Sequence, residues 1–379
     1  MQLTLLRHDL DDGWSEELPA LDSASTLVIV FGAPEYRDDL RALAELKAAF
    51  PTSTIVGCST SGEIFKTKIY DRSLAVAVAR FERSQLRHVT APIASAAGSA
   101  DAGAALAEAL IADDLRGVFV LSDGLQVNGS ELVRGFASKL PEHIVITGGL
   151  AGDGPRFERT WIISEGELTR DCVTAVGLYG EHLSIGHGSR GGWDPFGPRR
   201  QVTRSEHNVL FELDGRPALD LYKEYLGERA HGLPATGLLF PLALLSESEG
   251  GQLIVRTILG IDEGQKSLTF AGDVPTGARV QLMKANFDRL IEGAEEAAEA
   301  AGAGMDAGEE NILTIAISCV GRRLVLSERT EEEVEAIADI LPDRCAQIGF
   351  YSYGEISPTS TGPCELHNQT MTLTTIREG

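Results

Sequence analysis

Basic residues are scarce in this chain: 33 Lys and Arg stand against 56 Asp and Glu, for a formal net charge of −23 and a pI of about 4.7. Nucleic-acid binding rests on Lys and Arg neutralising phosphates, so a nucleic-acid partner is not expected, and an anionic membrane surface is disfavoured for the same reason. Long apolar runs are missing as well. No run in the sequence reaches the roughly 20 residues of a membrane-spanning helix, and Met1 to Asp12 lacks the basic stretch and apolar core of a secretory signal. Cysteine is sparse and scattered, with Cys58, Cys172, Cys319, Cys345 and Cys364 forming an odd set. That usage implies reduced thiols and a cytoplasmic location.

What the chain does have is enough apolar material for more than one core, 43% of 379 residues. It also has glycine gathered into short loops. Thr26–Ala33 is an apolar run ending beside Gly32, as a buried strand should be. Leu40, Leu43, Ala44 and Phe50 then follow helical spacing up to Pro51. A second strand, Ser53–Val56, enters the loop Gly57-Cys-Ser-Thr-Ser-Gly62-Glu63-Ile64, and Ser73–Phe81 reads as a further strand.

The same order returns from Gly117 to Tyr179, around the loop Gly148-Gly-Leu-Ala-Gly152-Asp153-Gly154. It returns again from Ile312 to Ile376, around Gly349-Phe-Tyr-Ser-Tyr-Gly354-Glu355-Ile356. In that last stretch Thr330 and Glu333 have capping-box spacing ahead of an apolar helix face. The pattern predicts an α/β fold: a layered sandwich of mixed β-sheets with flanking helices, built from repeated strand–helix–strand–Gly-loop units. A change of character between the second and third stretches divides the chain into an N-terminal segment, 1–24, and two domains, 25–215 and 216–379. A loop is expected over 302–310.

Glycines at strand ends bring backbone N–H groups close to a ligand, and hydrogen-bonding side chains beside them make a candidate pocket. The candidates are Cys58, Ser59, Thr60, Ser61 and Glu63 in the first loop, Gly149 and Asp153 in the second, and Tyr351, Tyr353 and Glu355 in the third. The competing reading is that these are tight turns, with the glutamates capping backbone amides. Arg190-Gly-Gly-Trp193 pairs a carboxylate-binding guanidinium with a planar indole, though Trp193 could equally plug a gap between domains. Cys58 could serve as the nucleophile of a hydrolase if the fold supplied a histidine; a buried, inert thiol is the commoner case. Cys364 and His367, three residues apart, could join Cys319 or Cys345 around a metal only if a turn aimed both inward. A haem needs a single axial histidine. His187, beside the Arg190–Trp193 segment, and His367, ahead of the last strand, are the candidates.

Taken together, these motifs resemble one family. Gly57–Ile64 resembles the signature of FIST N-terminal domains. Gly349–Pro358 and Cys364-Glu-Leu-His-Asn368-Gln-Thr370 resemble that of the C-terminal partner, and Gly192–Gly197 and Leu213–Ala218 fit as well. The resemblance implies a sensory, ligand-binding input rather than an enzyme, working with a histidine kinase or a cyclic-dinucleotide signalling enzyme. It adds Asn368 to the ligand-binding candidates. Because the sequence carries no kinase, cyclase or membrane module, it is most similar to the stand-alone subset, whose members bind haem and sense nitric oxide. The expected function is therefore haem-based nitric oxide sensing that regulates a partner histidine kinase. The alternatives are a sensor of a small polar metabolite such as an amino acid, and a Cys58 hydrolase.

Overall fold

The computed structural model describes residues 1–245, 253–303, 310–359 and 362–379, so most of the loop expected over 302–310 lies outside the described residues. The apolar run Thr26–Gly32 is a strand buried along its whole length, because both of its faces are covered. Val28 and Val30 point toward the helix Arg41–Ala49 and pack with Leu43, Leu46 and Phe50. Leu27, Ile29 and Phe31 point the other way, into a cluster with Phe119, Leu121, Leu313, Ile315, Ile317 and Phe350. That cluster draws inward-facing residues from three sheets, so it is the common core of the molecule. The rings of Phe31 and Phe350 sit 4.6 Å apart in it. Burying one such side chain contributes about 1.5–3 kcal/mol, which makes this shared face the main cohesive element.

Around that core the chain runs three times through strand, helix, parallel strand, hairpin and antiparallel strand. The first run is Thr26–Gly32, Arg41–Ala49, Thr54–Ser59, the hairpin 63–70 and Ser73–Arg80. The second is Leu115–Ser122, Gly129–Ala137, Val145–Leu150, the hairpin 162–169 and Cys172–Tyr179. The third is Ile312–Cys319, Val320–Leu326 with Thr330–Ile340, Cys345–Ser352, the hairpin 354–367 and Met371–Glu378. The fold is thus mixed α/β, with parallel and antiparallel pairs in each of these sheets and helices on the outer faces.

Each hairpin leaves its own sheet and joins another. Glu63–Phe65 pairs with 348–350, Ile162 and Ile163 pair with Cys58 and Gly57, and 354–356 pairs with 148–150. The exchange closes a cycle and draws the ends of the three parallel strands to one place. The segment before residue 25 contributes Gln2–Asp9, paired along its length with Ser73–Arg80.

A fourth sheet, formed by strands between 194 and 284, has its own core of Val202, Leu210, Tyr222, Phe240, Ile258 and Phe270. Residues on both sides of 215 share it, since Val209 pairs with Glu206 and with Thr269. Among the described residues, no helix is long and apolar enough to cross a membrane.

One local reading is corrected. Thr330 and Glu333 do not form a capping box: Thr330 already lies inside its helix, and its hydroxyl donates to the Ser327 carbonyl. Glu333 turns into the core instead, where it accepts from Arg322 at 2.7 and 3.0 Å, Ser318 at 3.1 Å and Tyr351 at 2.6 Å. A buried guanidinium outcompetes a solvated helix end for the carboxylate.

Candidate functional site

The first glycine of each loop is a packing requirement. A Cβ at Gly57 would meet the Val30 carbonyl oxygen at 2.2 Å, one at Gly148 the Val120 oxygen at 1.8 Å, and one at Gly349 the Ala316 oxygen at 1.8 Å. The parallel strands lie too close there for any side chain.

The glutamates that follow tie the first and third loops down. Glu63 accepts from the Thr60 hydroxyl and from the Ser73 N–H and hydroxyl at 3.1 and 2.8 Å. Glu355 accepts from the Ser352 hydroxyl at 2.7 Å and from the Thr370 N–H and hydroxyl at 3.2 and 2.9 Å. Burial outweighs these donors and pushes both carboxyls up to about 8.

The loops meet. Ser61 N–H donates to the Tyr351 carbonyl at 2.8 Å, and Tyr351 N–H returns a bond to the Gly62 carbonyl at 2.9 Å. Gly152 N–H donates to the Ser59 carbonyl at 2.9 Å, Gly154 N–H to Ser61 Oγ at 2.9 Å, and Tyr353 N–H to the Leu150 carbonyl at 3.2 Å. The Tyr353 hydroxyl donates to Asp153, and the Asp153 carboxylate accepts the N–H groups of Phe157, Glu158 and Arg159 at 2.9, 2.9 and 2.7 Å. Most donors and acceptors at the junction are therefore used within the protein.

A hollow of about 280 Å³ remains beside the first and second loops, lined by Thr60, Ser61, Glu63, Asp71, Arg72, Asp153 and Arg156 among others. A smaller one of about 160 Å³ adjoins it through Pro34, Glu35, Asp153 and Arg156, and adds Arg37 and Arg159. One guanidinium nitrogen of Arg37 is buried there without a hydrogen-bond partner.

Thr60, Ser61, Glu63 and Asp153 thus line the hollow, although each is at most 2% exposed. Cys58, Ser59, Gly149, Tyr351, Tyr353, Glu355 and Asn368 are buried among protein atoms, because the exchanged hairpins and the fourth sheet cover them. Trp193 is buried, with its indole N–H on the Gln369 carbonyl at 2.7 Å, so it fills a gap in the core. Arg190 sits apart from the loops, 3.3 Å from Glu296. Cys58 is fully enclosed, and burial drives its thiol well above the ordinary value, away from nucleophilic form. Sequence reasoning missed Arg72, Arg156 and Glu35. Arg72 takes a left-handed backbone (φ 59°) between the hairpin 63–70 and the strand Ser73–Arg80.

The two histidines differ. His367 is buried, its Nε2 is 3.0 Å from the Ser357 carbonyl, and burial lowers it to about 4. Among the described residues it lines neither the loop-junction hollows nor the one beside His187. His187 lines an open hollow of about 560 Å³ together with His143, Glu142, Val145, Pro358 and Thr359. Burial keeps its imidazole neutral, as an iron ligand must be. Among the described residues its walls offer no paired apolar faces to sandwich a haem, so the fit rests on the one imidazole. Among the described residues, no set of Cys and His side chains gathers at ligating distance, because Cys364 and His367 follow the strand alternation.

With this geometry in hand, similarity to known proteins is informative. The FIST N domain matches residues 26–216 and the FIST C domain matches residues 218–358. The chain belongs to the FIST family. FIST domains are sensory domains of signal transduction that bind small ligands, which makes this FIST protein a sensory one. An uncharacterized protein of Methanocaldococcus jannaschii is 24% identical over 92% of this chain and 74% of its own length. A cyanuric acid hydrolase structure from A. caulinodans aligns over 78% of this chain and 99% of its own, at 13% identity and a TM-score of 0.19. That score is too low to bear on fold or activity.

Proposed function

We propose that this FIST protein is a non-enzymatic, cytoplasmic signalling input whose ligand enters the hollow at the junction of the first and second strand-end loops. The observation that carries the reading is the convergence of loops from different sheets on one polar recess. A ligand there touches segments that belong to separate layers, so binding can favour one arrangement of the layers over another. The three like-ordered stretches are read as copies of one unit, and the recess as the place where two copies met without filling the space. The sealed thiol of Cys58 supports a non-enzymatic role. A histidine kinase or cyclic-dinucleotide enzyme downstream belongs to the same proposal, since an input of this kind acts through a partner.

The test is a thermal-shift screen of the full-length chain against amino acids, organic acids and amphiphiles, because native-state binding raises the melting temperature. A hit whose shift is lost in Ser61→Trp supports the site; hits that ignore the substitution place the ligand elsewhere. Haem-based nitric oxide sensing is the rival reading and rests on His187. An absorption band near the Soret region, lost in His187→Ala and moved by nitric oxide, would favour it over the loop-junction site.

A further inference from the structure

Beside the loop junction lies a second, larger chamber of a different character. Phe157, Leu239, Leu259 and Leu324 are 38%, 37%, 42% and 43% exposed, and what sets them apart is that they gather in one place. All four line one hollow of about 520 Å³, with Pro155 and Ile258. They come from separate places: the segment after the second loop, the fourth sheet's domain, and the helix Val320–Leu326. Phe157 is held there in left-handed backbone geometry (φ 54°), with its N–H on Asp153 at 2.9 Å and its ring stacked 4.3 Å from that of Tyr353. A large side chain rarely adopts that conformation unless its surroundings impose it.

The chamber adjoins the polar recess. Pro155 lines both, and Arg323, next to Leu324, reaches the recess to bond the Ser61 carbonyl at 2.6 Å and Asp71 at 2.8 and 2.9 Å. Every carboxylate of the recess has a partner: Glu35 has Arg156, Glu63 has Thr60 and Ser73, Asp71 has Arg323, and Asp153 has backbone N–H groups. Arg72 is the loosely held charge, with Asp11 no nearer than 3.8 Å. The adjoining smaller hollow also holds exposed Asp38 and Glu158 beside Arg37 and Arg159, so its charge is mixed. The most weakly paired cation of the inner recess is Arg72.

We infer that the ligand is a carboxylate amphiphile, its head at Arg72 in the loop recess and its aliphatic or aromatic body in the chamber of Phe157, Leu239, Leu259 and Leu324. This rests on the ligand-binding reading above and names its chemistry. The chamber volume falls within the range of about 300–1,000 Å³ usual for small-molecule sites.

Calorimetric titration of the full-length chain with butyrate, hexanoate, decanoate and decanol tests it. One molecule of decanoate binds, affinity rises about fourfold per added methylene from hexanoate upward, and butyrate gives no signal. Arg72→Gln weakens decanoate about tenfold without changing decanol. Leu324→Asp, on an exposed position, weakens both about tenfold or more while the unliganded protein melts as the wild type does. Decanol binding as tightly as decanoate overturns the anionic head. Decanoate binding untouched by Leu324→Asp overturns the chamber. Concentration-dependent dimerisation abolished by Leu324→Asp assigns the apolar face to a second copy and also overturns the proposal. If a small polar metabolite stabilises the protein and decanoate does not, this inference falls and the loop-recess reading stands; if neither binds, both fall.

Discussion

The first and third strand-end loops share Gly at both ends and the same Glu-Ile sequel, yet they live in different surroundings. Both glutamates accept from a hydroxyl three residues earlier and from the N–H and hydroxyl of a Ser or Thr entering the closing strand. Behind the third loop, however, stands a sealed pair, Arg322 and Glu333, both side chains 0% exposed. Behind the first loop stands the neighbouring arginine, Arg323, paired with an exposed Asp71 at the rim of a hollow. The comparison teaches that the motif itself is structural. Function enters where the packing around one copy is left open.

The largest expected effect breaks the sealed side. Glu333→Ala leaves Arg322 buried without its partner and should cost about 3–5 kcal/mol in urea unfolding. A cost below about 1 kcal/mol would mean that the two arginines are equivalent after all.

Next come the glutamates themselves. Glu63→Gln and Glu355→Gln each disturb three donors and should cost about 1–3 kcal/mol near pH 5. Both carboxyls are raised from 4.5 to about 8, so each binds its proton more tightly folded than unfolded. The stability this gives is complete below about pH 4.5 and is lost as pH rises through about 8. The advantage of wild type over either Gln variant should therefore shrink between pH 5 and 8, measured by unfolding at each pH.

Tyr353→Phe sharpens the contrast at the junction. It removes the hydroxyl that bonds Asp153 and the Gly154 carbonyl, for about 1–2 kcal/mol. Because Tyr353 supports Phe157, the same change should weaken binding of any chamber ligand more than Glu355→Gln does. The smallest effect belongs to the open side: Asp71→Ala removes a solvent-screened ion pair and should cost under about 1 kcal/mol, less still in high salt.

How much of this was readable beforehand follows from the range over which each feature is encoded. The buried strands were legible because both faces are covered, which leaves unbroken apolar runs such as Thr26–Gly32. The glycine loops were legible because close backbone approach excludes a side chain wherever it occurs, as at Gly57 and Gly349. The hairpin exchange was not, since a three-residue strand such as Glu63–Phe65 carries no mark of which sheet it will join. Trp193 was evenly balanced between ligand and plug, and only its bond to the Gln369 carbonyl decides its place. Glu333 was misread because capping-box spacing is local, whereas its partner Arg322 belongs to the preceding helix. The recess was legible only through Thr60, Ser61, Glu63 and Asp153; its arginines Arg72 and Arg156, and the chamber of Phe157, Leu259 and Leu324, come from distant segments with no shared spacing.

Hydrogen exchange on the full-length chain, with and without the compound that gives the largest thermal shift, tests the central claim most directly. Binding at the loop junction predicts added protection at residues 60–63, 71–72, 153–157 and 322–324 together. Protection confined to 142–145 and 187, around the His187 hollow, or none at the loops, would contradict it.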